Sequence, residues 1–340
     1  MNDEMKRFVQ MDIDTVEEIP LTDIQKQKIR KNARIKKVPN RKWNKLLTAA
    51  VVSLVVIFGS VYALPTIASQ LPFVENILEK IDPNFVPKNY EDLATIINQV
   101  ESSNGIDMMI ENAVYDGTTL MVTYAIHSDK DLGEQPMTGT MLDIKGAIVA
   151  TGTSSLDKSA NGLYTGLSSV TPKFNKNMDV LQIKWQPKTI TNPETNETFE
   201  GDWSFAFTMD ALPSKSEQLT TTITDDNAQI QIHTVDYTDL STVIHYEYNI
   251  DPAIMKKYPL SSIHIVKAVD TFGNEYDIHD NGGMISKEGH GFNWSFALYD
   301  LPEDVSTITL TAELSYVAQS GVITSDMSEL LEPIIVKLER

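Results

Sequence analysis

Six histidines, at 127, 233, 245, 264, 279 and 290, are the side chains of this 340-residue chain best suited to moving protons or holding a metal. They show no metal-ligand spacing, and the chain has no H-E-x-x-H, G-x-S-x-G or P-loop pattern. His233, His245 and His264 fall at alternating positions of strand-like stretches, where a hydrogen-bonded or solvent-facing imidazole is ordinary. Asp270, Asn274, Asp277, Asp280 and Asn281 make an acidic stretch whose oxygens could hold Ca²⁺. Their order is not that of an EF-hand loop, and a hairpin tip around Gly273-Asn274 is the simpler reading. Cysteine is absent, which excludes disulfides, cysteine-zinc sites and thiol nucleophiles. Two glycosylation sequons, at Asn196 and Asn293, are too short to carry weight. Neither an enzyme nor a bound cofactor is expected.

Binding chemistry is better represented, at the N-terminus. In residues 3–19, Met5, Phe8, Val9, Ile13, Val16 and Ile19 fall on one face of a helix, within about 140°. Asp12 interrupts that face, and Glu4, Lys6, Arg7, Gln10, Asp14, Glu17 and Glu18 occupy the other. Pro20 ends the helix. A helix this short is marginal alone in water, so the six apolar residues call for a partner. The acidic opposite face favours a protein groove over anionic lipid. A second helix is expected from Thr22, whose capping box is completed by Gln25; it is basic and only weakly amphipathic.

The element that must position this segment is Leu46–Leu64, LLTAAVVSLVVIFGSVYAL, which contains no charge. As a helix it would be about 28 Å long, the thickness of bilayer hydrocarbon. From Lys26 to Lys45 the chain carries ten Lys or Arg and no acid, whereas Pro65 to Glu79 carries no Lys or Arg. The positive-inside rule leaves residues 1–45 in the cytoplasm and places 65–340 outside the cell membrane. A cleaved signal peptide would need a 45-residue leading region and a shorter apolar core, so an uncleaved single span is the reading adopted.

Charge divides along the same line. Residues 1–64 hold 12 basic and 7 acidic side chains, and residues 65–340 hold 16 and 40. So acidic an exterior argues against direct nucleic-acid binding. Within 65–104, short helices are expected after Pro72 and from Asn89, the latter with Leu93, Ile96, Ile97 and Val100 on one face. From Gly105 the pattern alternates, and a repeat emerges. Residues 110–126, IENAVYDGTTLMVTYAI, match 232–248, IHTVDYTDLSTVIHYEY, each reading strand, tight turn, strand. Trp203-Ser-Phe-Ala-Phe, with Leu212-Pro213 beyond it, likewise resembles Trp294-Ser-Phe-Ala-Leu with Leu301-Pro302. Their different offsets imply an insertion of about 31 residues in the first copy, within 128–200. Both tryptophans are expected in domain cores. Outside the membrane the fold is therefore read as mainly β: two tandem immunoglobulin-like β-sandwich domains, 105–224 and 225–340.

The ordering of amphipathic segment, basic stretch, single span ending Gly59-Ser60-Val61-Tyr62-Ala63, and outer AVYDGTTLMVTY hairpin resembles a family. It is similar to bacterial single-span membrane anti-sigma factors, regulators of extracytoplasmic-function sigma factors whose outer part is a domain of unknown function. The resemblance implies that residues 1–45 sequester a sigma factor and that the outer β-domains sense the envelope. The zinc-binding His-Cys-Cys signature of better-known anti-sigma domains is missing. The other function class is a surface-anchored binding or adhesion protein whose β-domains hold an extracellular ligand. The stripe Met5–Ile19 separates the two, since a mere topology signal has no use for it.

Overall fold

The computed structural model describes residues 77–81, 85–160, 162–176, 178–285, 291–317 and 328–339, all within one compact unit, Val56–Arg340. The apolar stripe Met5–Ile19, the basic run, the span expected over 46–64 and His290 lie outside the described residues. Among the described residues no helix is long and apolar enough to cross a membrane.

The described chain is mainly β, and all its strand pairs are antiparallel. A first sheet has the order β1-β2-β3-β7-β6, from β1 (Thr95–Ser103), β2 (Ile106–Tyr115), β3 (Leu120–Ser128), β6 (Val149–Ala160) and β7 (Leu163–Lys173). One face packs on a smaller sheet of β5 (Asp143–Ile144), β8 (Val180–Trp185) and β11 (Phe205–Asp210). A third group joins β4 (Met137–Thr138), β9 (Thr189–Thr191) and β10 (Thr198–Glu200). Alternation along β8 sends Leu181, Ile183 and Trp185 inward, where Trp185 meets the Tyr124 ring edge-on at 5.0 Å and stacks on Phe205 at 5.7 Å. Trp203 is fully buried, and its indole nitrogen donates to the Ile106 carbonyl at 3.0 Å. The Gln99 side chain bridges the open edges of β1 and β11, donating to the Ala206 carbonyl and accepting from the Ala206 amide.

The second β-domain repeats this plan. Its main sheet runs β12-β13-β14-β18-β17, from β12 (Lys215–Thr224), β13 (Ala228–Tyr237), β14 (Ser241–Ile250), β17 (His279–Ile285) and β18 (Phe292–Tyr299). Facing it, β15 (Ser262–Asp270), β16 (Glu275–Tyr276), β19 (Thr307–Ser315), β20 (Ser328–Leu330) and β21 (Ile334–Lys337) make the second layer. The two hairpins match in register: Ile110 pairs Tyr124, and Ile232 pairs Tyr246. Their irregularities match as well. Bulges fall between Ile96 and Gln99 and between Gln218 and Thr221, and again between Ile110 and Asn112 and between Ile232 and Thr234. Bulges at matched positions show a duplicated architecture rather than two unrelated sheets.

Topology corrects the tryptophan alignment. Trp294 lies on β18, opposite Tyr246, and the residue in that place in the first β-domain is Gly166, opposite Tyr124. Trp203 instead precedes β11, which pairs β8 as β21 pairs β19. The two Trp-Ser-Phe-Ala segments therefore belong to different layers, and the insertion of about 31 residues inferred from aligning them falls away. The Gly166–Trp294 offset is 128 residues, close to the 122 of the hairpins. Bulk is exchanged across the strand pair: Leu156 faces Gly166 in one β-domain, and Gly283 faces Trp294 in the other. A Cβ on Gly166 would come within 2.7 Å of the Tyr124 ring, so that position must stay small.

Two further expectations change. The helix from Asn89 is confined to α1 (Tyr90–Leu93), and Ile96, Ile97 and Val100 belong to β1. Their spacing fits a helix, but pairing with β2 and β-branched Thr95, Ile96 and Ile97 decide for strand. The main sheets accordingly begin at Thr95 and Lys215 rather than at 105 and 225. Where a helix is expected after Pro72, the structure describes a 3-10 turn, Leu78–Lys80.

Candidate functional site

The strand β3 reads LMVTYAIHS, apolar on both faces instead of alternating. Val122, Tyr124 and Ile126 enter the first core, while Met121 and Ala125 point the other way. What covers this outer face is a strap, residues 77–81 and 85–94. Ile77, Ile81 and Tyr90 of the strap bury themselves against Met109, Val114, Met121, Ala125, Leu163 and Leu167, and Leu240 of the second β-domain completes the cluster. Each such side chain gains roughly 1.5–3 kcal/mol on burial. Tyr90 is fully buried, its hydroxyl 3.4 Å from the Asn112 carbonyl. Burial raises its pKa above the ordinary phenol range. The strap also grips the second β-domain. The Lys88 amide donates to Asp300 Oδ1 at 3.1 Å and Asn89 Nδ2 donates to the Asp239 carbonyl at 3.2 Å. Asp300 holds this position with φ of 56°, a left-handed conformation that aspartate tolerates better than most residues.

Beside the strap the two β-domains meet through polar groups. Asp116, in the β2–β3 turn, is almost wholly buried. Its Oδ1 accepts from the Thr118 and Thr119 amides at 2.8 and 2.7 Å, and its Oδ2 accepts from Ser241 Oγ at 2.5 Å. Burial raises the carboxyl above its usual range, against these hydrogen bonds and the nearby charge of His245. Thr119 Oγ1 lies 2.8 Å from Thr171 Oγ1 and donates to Asn281 Oδ1 at 3.0 Å; Thr151 Oγ1 donates to the Asn281 carbonyl at 3.0 Å. Asn281 Nδ2 is the buried side-chain polar atom left without a partner among the described residues. Lys173, half-buried, reaches Ser295 Oγ at 3.5 Å, and burial lowers its pKa against the pull of Asp280.

Two clefts open on either side of the strap. One, of about 670 Å³, is lined by acidic Glu79, Glu91, Glu275, Asp277 and Asp300 together with His279. The other, of about 840 Å³, lies between α1, the Pro213–Lys215 connection and the turn Tyr237–Thr242. Burial lowers the His279 pKa, opposed by Asp277 and Asp300, and its ring packs 4.2 Å from that of Tyr299.

The histidines otherwise face carboxylates: His127 toward Asp107, His233 toward Glu247, His245 toward Asp236 and His264 toward Asp280. No group of three or more metal-ligating side chains forms among the described residues. His264 links Ser262, 3.0 Å from its Nε2, to Asp280, 3.2 Å from its Nδ1. Asp280 also accepts from the Trp294 indole at 2.7 Å and the Gly282 amide at 2.6 Å. Ser262 and His264 lie two apart on β15, so strand alternation alone brings them to one face. The chain ties β15 to β17 and lines neither cleft. The acidic stretch forms the expected hairpin tip. Asp270 accepts from the amides of Phe272 and Asn274, from Asn274 Nδ2 and from the Tyr276 hydroxyl, all within 2.9 Å. Burial opposes its ionisation, yet these four bonds hold the carboxyl at about 2.

Sequence reading found the turn Asp116-Gly117 but not its burial, and it missed Tyr90 and Leu240. The signal for a cover was the doubly apolar β3.

Comparisons with known proteins match two parts of the chain, and the first match ends inside the first main sheet. Residues 39–128 match a profile described as Domain of unknown function (DUF4179), ending where β3 ends. Residues 214–330 match a second, Family of unknown function (DUF5643), beginning where the second main sheet begins. No curated protein matches. Among solved structures, the conserved domain protein from Bacillus anthracis is 22% identical, with a TM-score of 0.67 over 75% of this chain and 94% of its own. That likeness shows the fold. The collagen adhesin from S. aureus, 10% identical, covers 68% of this chain and 91% of its own at a TM-score of 0.13, too low to inform it.

Proposed function

We propose that the chain is a membrane-anchored anti-sigma factor. Residues 1–45 hold an extracytoplasmic-function sigma factor on the cytoplasmic side, 46–64 span the cell membrane, and two immunoglobulin-like sandwiches sense the envelope outside. The observation that carries the reading is the stripe Met5, Phe8, Val9, Ile13, Val16 and Ile19, in a stretch of 45 residues, short for building a core around it. The strap supports it from the other side. A chain leaving the span at Leu64 meets, from Ile77 onward, residues buried against both β-domains, so a change in their arrangement bears on the membrane-proximal segment.

A helix in a groove gains most from central anchors, so Phe8 and Ile13 matter more than Met5 or Ile19. Phe8→Asp with Ile13→Asp puts charge into the apolar contact, and at a cost of about 4 kcal/mol affinity falls about a thousandfold. In cells this variant is expected to switch on the sigma regulon without envelope stress, at normal protein levels, while Gln10→Ala leaves it off. A regulon that stays silent with the double variant would overturn the reading in favour of a surface-anchored binding protein.

A further inference from the structure

The junction between the β-domains contains a device that the sensing role does not require. Among the described residues, Asp116 is the one carboxylate in the contact that is almost wholly buried, and it reaches across the boundary to Ser241. We propose that Asp116 and Ser241 form a proton-controlled latch that holds the two β-domains together when Asp116 is protonated and loosens their contact when it is ionised. This concerns the outer β-domains alone and stands apart from whatever residues 1–45 bind.

The hydrogen-bond inventory accommodates both states. Ionised, Asp116 accepts from Ser241 and from the two turn amides. Protonated on Oδ2, it donates to Ser241 Oγ, and Ser241 turns its own hydrogen to Thr238 Oγ1, 3.2 Å away, sharing that oxygen with the Leu240 and Ser241 amides that already donate to it. The amide bonds to Oδ1 persist, so the turn itself does not change. What changes is the cost of enclosure. A buried carboxylate loses its hydration, and three hydrogen bonds repay part of that loss; parting the domains returns it to water. The sign follows from the raised carboxyl pKa in the closed form. Stabilisation by the proton is complete below the ordinary aspartate value and fades as pH rises through the closed-state value.

The groups facing Asp116 do not cancel this. From β14, the charge of His245 favours the ionised form, but that imidazole is held at 2.9 Å by Asp236. From the end of β2, next to it in the chain, Tyr115 is raised by burial first and by Asp116 and Asp179 after it. From β18, Tyr299 is raised by burial and then by Asp116, and neither phenol ionises at neutral pH. Past Tyr299 stands His279, in van der Waals contact with that ring. Lys173 and Asp280 lie toward the other end of the contact, where burial lowers the lysine pKa and Asp280 opposes that shift. The apolar seal of Leu240 against Met121 and its neighbours remains in both states, so loosening rather than separation is expected.

The chain's lack of cysteine makes the test direct. The full chain in lipid nanodiscs, carrying Lys184→Cys and Lys337→Cys on exposed strand positions of the two β-domains, takes spin labels there alone. Between about pH 4.5 and about pH 8 the inter-label distance distribution should go from narrow to broad. Asp116→Asn keeps the shape and the Oδ1 acceptor without the charge, and should stay narrow at both. His245→Gln and His279→Gln should each retain the wild-type response. A wild-type distribution that does not change, an Asp116→Asn variant that broadens like wild type, or loss of the response in either histidine variant would overturn the latch.

Discussion

At the scale of residues, the two tryptophans with similar neighbours do different work. Trp203 is sealed in the first core with its indole hydrogen bond met by Ile106, so Trp203→Ala should cost ~3–5 kcal/mol. Trp294 is half-buried at the margin of the second core and is held by Asp280, so Trp294→Ala should cost about 1–2 kcal/mol. Urea midpoints of the two variants, at unchanged slope, measure the difference. Equal losses would mean that the two positions are equivalent after all. Local sequence could not separate them, because a Trp-Ser-Phe-Ala run specifies alternation but not which layer a strand joins. The exchange of Leu156/Gly166 for Gly283/Trp294 is likewise invisible until register is known, since each residue is ordinary by itself and only the pair has a volume to conserve.

At the scale of elements, hairpins were legible and the strap was not. The β2–β3 and β13–β14 hairpins carry their turn residues and flanking β-branched and aromatic runs within seventeen residues, and their pairing follows from the local pattern. The strap has little regular structure, and its bonds reach residues more than 100 positions away, such as Asn89 to Asp239 and Lys88 to Asp300. Read locally, residues 89–100 suit a helix; the sheet partner that overrides this is contributed by β2. Tyr90 should be the strap's principal anchor. Tyr90→Ala is expected to raise amide hydrogen exchange across residues 85–94 well before the β-sheets respond, at a cost of about 3 kcal/mol. Tyr90→Phe should cost less than about 1 kcal/mol, because the hydroxyl bond is long. Exchange that rises together in strap and sheets would show that the strap is part of the core and not a separable cover.

At the scale of the whole molecule, the duplication of the β-domains and the division of charge about residues 46–64 both follow from sequence. The enclosed junction does not, because burial of Asp116 depends on two turns, at 116–119 and 238–241, that only the folded pair of domains brings together. The profile matches to 39–128 and 214–330 bracket these same parts without assigning them a role. The proposed role rests on six apolar residues at the N-terminus, and these are where it should be tested. The most direct measurement is co-purification of the solubilised full chain from its own cells, with bound proteins identified by mass spectrometry. Wild type should retain a sigma factor, and the Phe8→Asp/Ile13→Asp variant should retain none at equal membrane yield. Recovery of no sigma factor with wild type, or equal recovery with both, would contradict the proposal that this stripe holds one.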